Sequence, residues 1–301
     1  MRGRTLAAMQ FDYDLLEKIS REMVLYTTRK TSNVLEGSFP SVYRGRSLEF
    51  DDLKEYSPGD DVQAIDWKSS SRTDKLLIRR YIAEKKHNLL FALDTGLKMD
   101  ADTDEGESKG ELALLILGSL CYILGKQGAD FGYVYGCPEG ERRSFFRCGT
   151  DHLQNLLAEY GETMYREPKV SLHDLLEGAA EREKRRMILA VITDSEGLLQ
   201  LDEELVKRLT ERNDLIVFCL EDAYFTGDQV YDTGVRSYVD RIMARSAKLR
   251  DLELDRREEI LETFLKIARR NRVGFARISK ADTVVDRILD LFEKGRHGIY
   301  G

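Results

Sequence analysis

Leu89 to Asp94 reads LLFALD, and Met187 to Asp194 reads MILAVITD. Each is an unbroken apolar run that ends in an aspartate. A strand with one wet face alternates apolar and polar residues, whereas a strand covered on both faces does not. Both runs therefore predict strands buried in a parallel sheet, with Asp94 and Asp194 at their carboxyl ends. Leu215 to Leu220 (LIVFCL) predicts a third such strand, followed by Glu221-Asp222, and Val273 to Ile278 a last one. Between the runs the period changes. Leu112 to Leu124 is apolar nearly all round, and helical patterns cover about 151–160, 172–183, 256–269 and 283–292. Phe131 to Tyr135 and Ser144 to Cys148 predict a hairpin around Pro138-Glu139-Gly140. Strands alternating with helices imply an α/β, Rossmann-type fold: a mostly parallel sheet flanked by helices, with its site beyond the strands' carboxyl ends.

Residues 1–86 read as a separate, smaller element ahead of an α/β domain at 87–301. Leu16, Ile19, Met23 and Tyr26 lie on one stripe of a helix from Asp12 to Tyr26. Short strands and turns are expected from about 34 to 83, ending in the alternating stretch Leu76 to Ile82. Within it, Glu49 to Arg72 (EFDDLKEYSPGDDVQAIDWKSSSR) is dense in charge, with Val62, Ile65 and Trp67 as apolar anchors. Ser57-Pro58-Gly59-Asp60 is a turn, because Pro58 sets its own φ and Gly59 accepts a positive one. Trp67 is expected to be a buried packing residue. The acids of the segment are expected to be tied by Arg44, Arg46, Arg72, Arg79 and Arg80.

With 301 residues, 42% of them hydrophobic, the chain can bury an ordinary core. Its formal charge of −7 argues against a nucleic-acid groove, since binding a phosphate backbone needs clustered positive charge. Cys121, Cys137, Cys148 and Cys219 show no Cys-x-x-Cys spacing and read as reduced residues of a cytoplasmic protein. Met1 to Gln10 has no apolar core of a secretory signal, and the uncharged run from Leu112 to Gly125 is too short to span a bilayer. His87, His152, His173 and His297 are scattered, with no nucleophile motif or phosphate-binding glycine loop beside them.

The elements Arg46 to Phe50, Tyr56 to Asp61 (YSPGDD), Ile65-Asp66-Trp67 and Ser71-Arg72 resemble the hallmark of the bacterial domain of unknown function 58 family. Many of its members carry two membrane helices before this segment, so the resemblance is to the branch without them. The α/β half resembles a von Willebrand factor A domain. That resemblance implies a divalent metal held by an Asp-x-Ser-x-Ser loop, a threonine of a second loop and an aspartate of a third. The matching positions are Asp94-Thr95-Gly96-Leu97-Lys98, Thr150 or a neighbour, and Asp194. Gly96 and Lys98 depart from the pattern: two hydroxyls are lost and a cation is added. A lysine about 4 Å from a divalent ion costs several kcal/mol even at an effective dielectric near 20. One expectation is that the Lys98 ammonium takes the metal's place against Asp94 and Asp194; the other is an exposed Lys98 with both aspartates capping helices.

Asp100 to Glu111 imitates a calcium loop, with acids at the first, third, fifth and twelfth positions, but its glycine, Gly106, is displaced by one. Ser108-x-x-Glu111 also forms a capping box, and a solvated, mobile acidic loop is the expectation. Asp60, then Asp66-x-Lys68, superficially follows a metal-dependent nuclease pattern with too short a gap. No cofactor is expected, magnesium or calcium being the alternatives. The expected function is a non-catalytic adaptor; the family resemblance implies a MoxR-type AAA+ ATPase as its partner. The binding edge would hold Asp94, Gly96, Lys98, Thr150 and Asp194. The hallmark residues Glu49, Tyr56, Pro58, Gly59, Asp60, Asp61, Asp66, Trp67 and Arg72 would lie beside it or serve a second partner. The alternatives are a metal-dependent hydrolase using the hallmark acids and a divalent-cation-responsive binding module.

Overall fold

The computed structural model describes residues 48–57, 65–73, 75–83, 88–125, 128–183, 185–224, 231–232, 237–238 and 247–296. They belong to two compact units, one within 41–86 and one from 87 onward. The helix expected at 12–26 lies outside the described residues, as do Pro58, Gly59, Asp60, Asp61 and Val62.

In the small unit, strands β1 (Leu48–Glu55) and β2 (Leu77–Ala83) pair antiparallel, Leu48 facing Ala83 and Glu55 facing Leu77. Helix α1 (Trp67–Thr73) lies between them in sequence. Asp66 starts it: its Oδ1 accepts the N–H groups of Lys68 and Ser69, both at 3.1 Å. That is an N-cap, satisfying donors a helix start otherwise leaves open. The buried Ser70 accepts Leu77 N–H at 2.8 Å and so ties the helix to β2. Trp67 is not the buried anchor expected of it. It stands 66% exposed, because α1 docks through the Ser70 hydroxyl and not through its indole.

The larger unit is built on strands β3 (Asn88–Leu93), β4 (Asp130–Cys137), β5 (Gly140–Arg143), β6 (Ile188–Asp194), β7 (Asp214–Leu220) and β10 (Gly274–Ile278). A two-residue hairpin, β8 (Tyr231–Asp232) with β9 (Ser237–Tyr238), completes the strands. The sheet order is β10-β7-β6-β3-β4-β5, all parallel except β5. Counted from β3, this is the doubly wound order, in which the winding reverses between the first strand and the fourth. Here the reversal falls between β3 and β6.

Both faces are covered, as the unbroken apolar runs require. Leu89, Phe91 and Leu93 pack with α2 (Lys109–Gly125), α3 (Thr150–Thr163) and α8 (Val284–Arg296). Leu90 and Ala92 pack with α4 (Leu172–Arg182), α6 (Glu203–Thr210) and α7 (Ala247–Asn271). The four-residue α5 (Ser195–Leu198) follows β6 directly. Two details differ from the sequence reading. The hairpin's return strand starts earlier, at Gly140–Arg143, where Gly140 adopts φ 134 and lets the chain reverse within the turn, and the expected stretch continues the pairing: Ser144 N–H donates to Tyr133 O, and Arg147 exchanges both backbone hydrogen bonds with Phe131. Helix α7 begins at Ala247, ahead of the expected 256, and its first turns are exposed. Among the described residues no helix is long and apolar enough to cross a membrane.

Asp66→Ala removes the α1 cap and should destabilise the small unit by about 1 kcal/mol. Hydrogen exchange should show faster exchange in 66–73 with protection of β3 and β6 unchanged; loss of protection in both units would show that one cooperative structure depends on Asp66.

Candidate functional site

The winding reversal sets the ends of β3 and β6 side by side, and Asp94 N–H donates to Ile192 O at 3.0 Å. Asp94 and Asp194 are both buried, 5% and 1% exposed. Asp94 Oδ1 accepts Thr95 N–H at 2.9 Å, and its Oδ2 accepts the Thr193 hydroxyl. Tyr160, from α3, donates its hydroxyl to Asp94 O at 2.7 Å. Gly96 follows with φ 116, and the chain closes into a single 3-10 turn, Leu97–Asp100. This turn brings Lys98 back over the strand ends. Its Nζ lies 2.6 Å from Asp94 Oδ2 and 3.3 Å from Asp194 Oδ1.

A second ammonium completes the cluster. Lys109, the first residue of α2, is 2% exposed; its Nζ is 3.0 Å from Asp194 Oδ2 and pairs with the Asp222 carboxylate beyond β7. Ser195 donates to the other Asp222 oxygen. Asp194 Oδ1 also accepts Gly197 N–H at 3.0 Å, so Asp194 is at once an ion-pair partner and the cap of α5. From α7, Arg257 donates to the carbonyls of Asp222 and Ala223 and lies over the Tyr224 ring, 4.2 Å from its centre.

Burial pushes the Asp94 carboxyl above its ordinary range; Lys98 pulls it down only in part, and the Asp194 charge pushes it further up. Asp194 is also penalised by burial, but Lys109, Lys98 and the Gly197 N–H outweigh the penalty and hold it below the usual value. Burial disfavours the ammoniums of Lys98 and Lys109, yet the facing aspartates raise both. Three carboxylates and two ammoniums leave one negative charge over, consistent with Asp94 being the group pushed up.

These residues do not fit a divalent metal. Magnesium needs near-octahedral oxygen ligation at about 2.0–2.1 Å. Between Asp94 and Asp194 stands the Lys98 nitrogen, and Gly96 offers no side chain. Thr150 is not brought to the site. It begins α3, whose eleventh residue, Tyr160, is the one that reaches Asp94, and it lies about 15 Å from Tyr160 along the helix. The second loop beside Asp94 is 164–168: Met164 O accepts Gly96 N–H at 2.9 Å, and Glu167 Oε1 accepts Leu97 N–H at 3.2 Å.

The acidic loop after Lys98 is exposed at 104–106, as a solvated loop would be, and is also fastened to 279–281. Thr103 donates to Ser279 O at 2.8 Å, Glu107 Oε2 accepts Ala281 N–H at 2.7 Å, and Glu105 pairs with Lys280 at 3.0 Å. Glu105 and Glu107, which lie outside the calcium-like set Asp100, Asp102, Asp104 and Glu111, thus face 280–281. Among the described residues, His173, Asp174 and Glu177 bring donor atoms within 4.8 Å of one another, but Glu177 pairs with Arg208 and His173 Nε2 faces Asp202 at 3.6 Å. Of the hallmark residues, Asp66 is a helix cap, Tyr56 N–H donates to Leu76 O at 2.8 Å, and Arg72 and Trp67 are exposed.

Sequence reasoning missed Lys109, Asp222, Thr193 and Gly197. A Cβ at Gly197 would collide with Thr193 Oγ1 and lie 2.6 Å from Asp94 Oδ2. Only glycine allows α5 to close over the cluster. The signals were faint: a lysine opening an otherwise apolar helix, and a glycine three residues after a strand-end aspartate.

The family model described as protein of unknown function DUF58 matches residues 52–227, more than half of the chain. The uncharacterized proteins Rv1480 of Mycobacterium tuberculosis and Mb1516 of Mycobacterium bovis are each 26% identical over 180 residues, 59% of this chain and 56% of theirs. The chain thus spans little more than half the length of the curated relatives it matches. Similar solved structures include a von Willebrand factor type A protein from Catenulispora acidiphila, with TM-score 0.40 and 11% identity over 73% of this chain and 44% of that one. Another is the conserved hypothetical protein BatB from Bacteroides thetaiotaomicron, with TM-score 0.42 and 15% identity over 70% and 99%.

Lys109→Met leaves Asp194 and Asp222 without their shared cation and should cost about 3–5 kcal/mol in denaturant unfolding. Because Asp194 is held low in the folded state, its contribution is whole above about pH 4 and is lost as pH falls through the lowered native value. The gap between native and Lys109→Met protein should therefore shrink at acid pH. Gly197→Ala should cost about 1–3 kcal/mol by overpacking. Unchanged midpoints for both variants at pH 7 would show that the cluster carries no stability.

Proposed function

This chain belongs to the DUF58 family, and we propose that its α/β unit is a non-catalytic protein-interaction module, an adaptor acting with a MoxR-type AAA+ ATPase in the assembly or maturation of other proteins. The observation that carries this reading is the Lys98 ammonium, 2.6 Å from Asp94 and 3.3 Å from Asp194. At the winding reversal, where an α/β enzyme would keep a reactive group free, this chain fastens its charges to one another. Lys98 and Lys109 are held charged by the aspartates, so neither is a base near neutral pH. Asp194 is spent on two ammoniums and a helix cap. The result is an edge of fixed shape.

That edge has a rim suited to contact. Leu199, just past α5, is 54% exposed; Glu196 stands exposed on α5 and Glu167 on the segment 164–168 beside Lys98. An exposed leucine three residues from an exposed glutamate fits a protein surface better than a small substrate. The ATPase is the partner that the family resemblance implies, and a cytoplasmic setting belongs to the same proposal. In the small unit, the exposed indole of Trp67 offers a second contact, since tryptophan is enriched where binding energy concentrates. The same ion pairs weigh against a divalent-cation-responsive module. The use of Asp66 as a helix cap weighs against a hydrolase that takes it as a metal ligand.

Surface binding kinetics with the immobilised chain and a purified MoxR-type ATPase test the reading. Binding should be saturable, and Leu199→Asp should weaken it at least tenfold. Neutralising Asp60 and Asp61 should slow association more than it speeds release, with the difference fading near 1 M salt. An ATPase that does not bind, or a metal-dependent hydrolysis by the chain that vanishes in Asp66→Asn, would overturn the proposal.

A further inference from the structure

Strand β5 ends the six-stranded sheet, and among the described residues no strand pairs with its outer side. Its hairpin decides which backbone groups face outward. Ser144 N–H donates to Tyr133 O at 3.0 Å. Bonded and non-bonded positions alternate along an antiparallel pair, so Arg142, opposite Tyr135, also bonds β4, whereas Glu141 and Arg143 turn their N–H and C=O groups away from it. Such outward groups form an edge to which an extended peptide adds as a further strand.

The side chains along this edge are sorted. Glu141 pairs with Arg182 at 2.6 Å and Arg143 pairs with Glu183, which fastens the strand to the C-terminal end of α4. Arg142 and Arg147 are exposed, and among the described residues neither stands at ion-pair distance from an acid. Their opposite residues on β4, Tyr135 and Phe131, belong to one core cluster, so both arginines lie on the same side of the sheet, about 13 Å apart along it. Between Ser144 and Arg147, Phe145 and Phe146 stand opposite the single Gly132, which makes a bulge. Phe146 packs against the core on the α4 side. Phe145 is left 82% exposed, the highest value among the large apolar side chains described.

We propose that the edge formed by residues 140–147 binds an extended acidic segment of a partner protein by strand addition, its carboxylates meeting Arg142 and Arg147 and an apolar side chain meeting Phe145. A strand of four residues offers few backbone bonds, so the arginines carry the discrimination. A second copy of this chain on the same edge would set these arginines beside their own counterparts, and like charges across a strand pair are destabilising. Glu139, exposed at the turn, feels the charge of Arg166 as well as that of Arg142, so the hairpin stays positive on a chain of net charge −7. A nucleic acid would meet the arginines but has no backbone amides to continue the ladder.

The proposal does not rest on the ATPase or on the Lys98 cluster, and its failure would leave the adaptor reading standing. Fluorescence anisotropy with a labelled ten-residue peptide of alternating glutamate and valine tests it, on the native chain, on Arg142→Glu combined with Arg147→Glu, and on Phe145→Ala. The native chain should bind the peptide saturably and at least tenfold more tightly than the double variant does, with a smaller loss for Phe145→Ala. The same peptide with lysine for glutamate, or N-methylated at every residue, should bind at least tenfold more weakly. On adding the glutamate peptide, amide exchange followed by nuclear magnetic resonance should slow at Glu141 and Arg143 and stay unchanged at Arg142, which β4 already holds. Should a variant not fold, the peptide comparisons and the exchange measured on the native chain decide. No binding by the native chain, equal binding of the lysine peptide, the N-methylated peptide or an oligothymidylate, or binding that leaves exchange at Glu141 and Arg143 unchanged would overturn the proposal. So would a dimer of the native chain that Phe145→Ala dissolves in sedimentation.

Discussion

Five charged side chains closed on one another at the carboxyl edge of the sheet are the constraint on which the rest of this structure turns. Moving a carboxylate or an ammonium out of water costs several kcal/mol per ion, and mutual attraction offsets that only where geometry is good and the remaining hydrogen-bonding positions are filled. Here they are filled. Asp94 takes the Thr95 N–H and the Thr193 hydroxyl, Asp194 the Gly197 N–H, and Asp222 the Ser195 hydroxyl. The cluster thereby fixes the ends of β3, β6 and β7, the start of α2, the whole of α5 and, through Arg257 on the Asp222 carbonyl, the long helix α7. Gly197 is glycine because no side chain fits between α5 and these groups.

Such an arrangement bears on function through what it withholds. A metal at this position would leave coordination places open to a ligand, whereas an ammonium shared by two carboxylates offers a set surface. Under the adaptor proposal the residues a partner would meet are Leu199 and Glu196, just past α5 and on it, and Glu167 on the segment 164–168. Asp66 does comparable work at smaller scale in the other unit. It organises a helix start, and the side chain exposed next to it is a tryptophan.

Much of the α/β unit could be read from the chain because its strands are covered on both faces and so appear as unbroken apolar runs. Asp94 and Asp194 were legible for the same reason, as the polar residues that end those runs, and Lys98 because it stands at a fixed offset from Asp94. Lys109 and Asp222 were not legible. Their meeting depends on how the loop 100–108 folds back onto 279–281, through contacts between residues more than 170 positions apart. Thr150 was misplaced because a helix start was chosen by sequence order, while the fold brings that helix's other end to the site. Trp67 was misread because apolar character was equated with burial, and a helix tied down by a serine hydroxyl and an aspartate cap does not need its indole inside.

The central claim is that an ammonium, and not a metal, stands between Asp94 and Asp194. A crystal structure of the native chain grown with 10 mM manganese chloride, with data collected for manganese anomalous scattering, tests it most directly (about that concentration exceeds the affinity of an ordinary weak carboxylate site). The account predicts no anomalous peak between the two carboxylates and density for Lys98 Nζ in contact with both. An anomalous peak at that position, with Lys98 turned out to solvent, would contradict it.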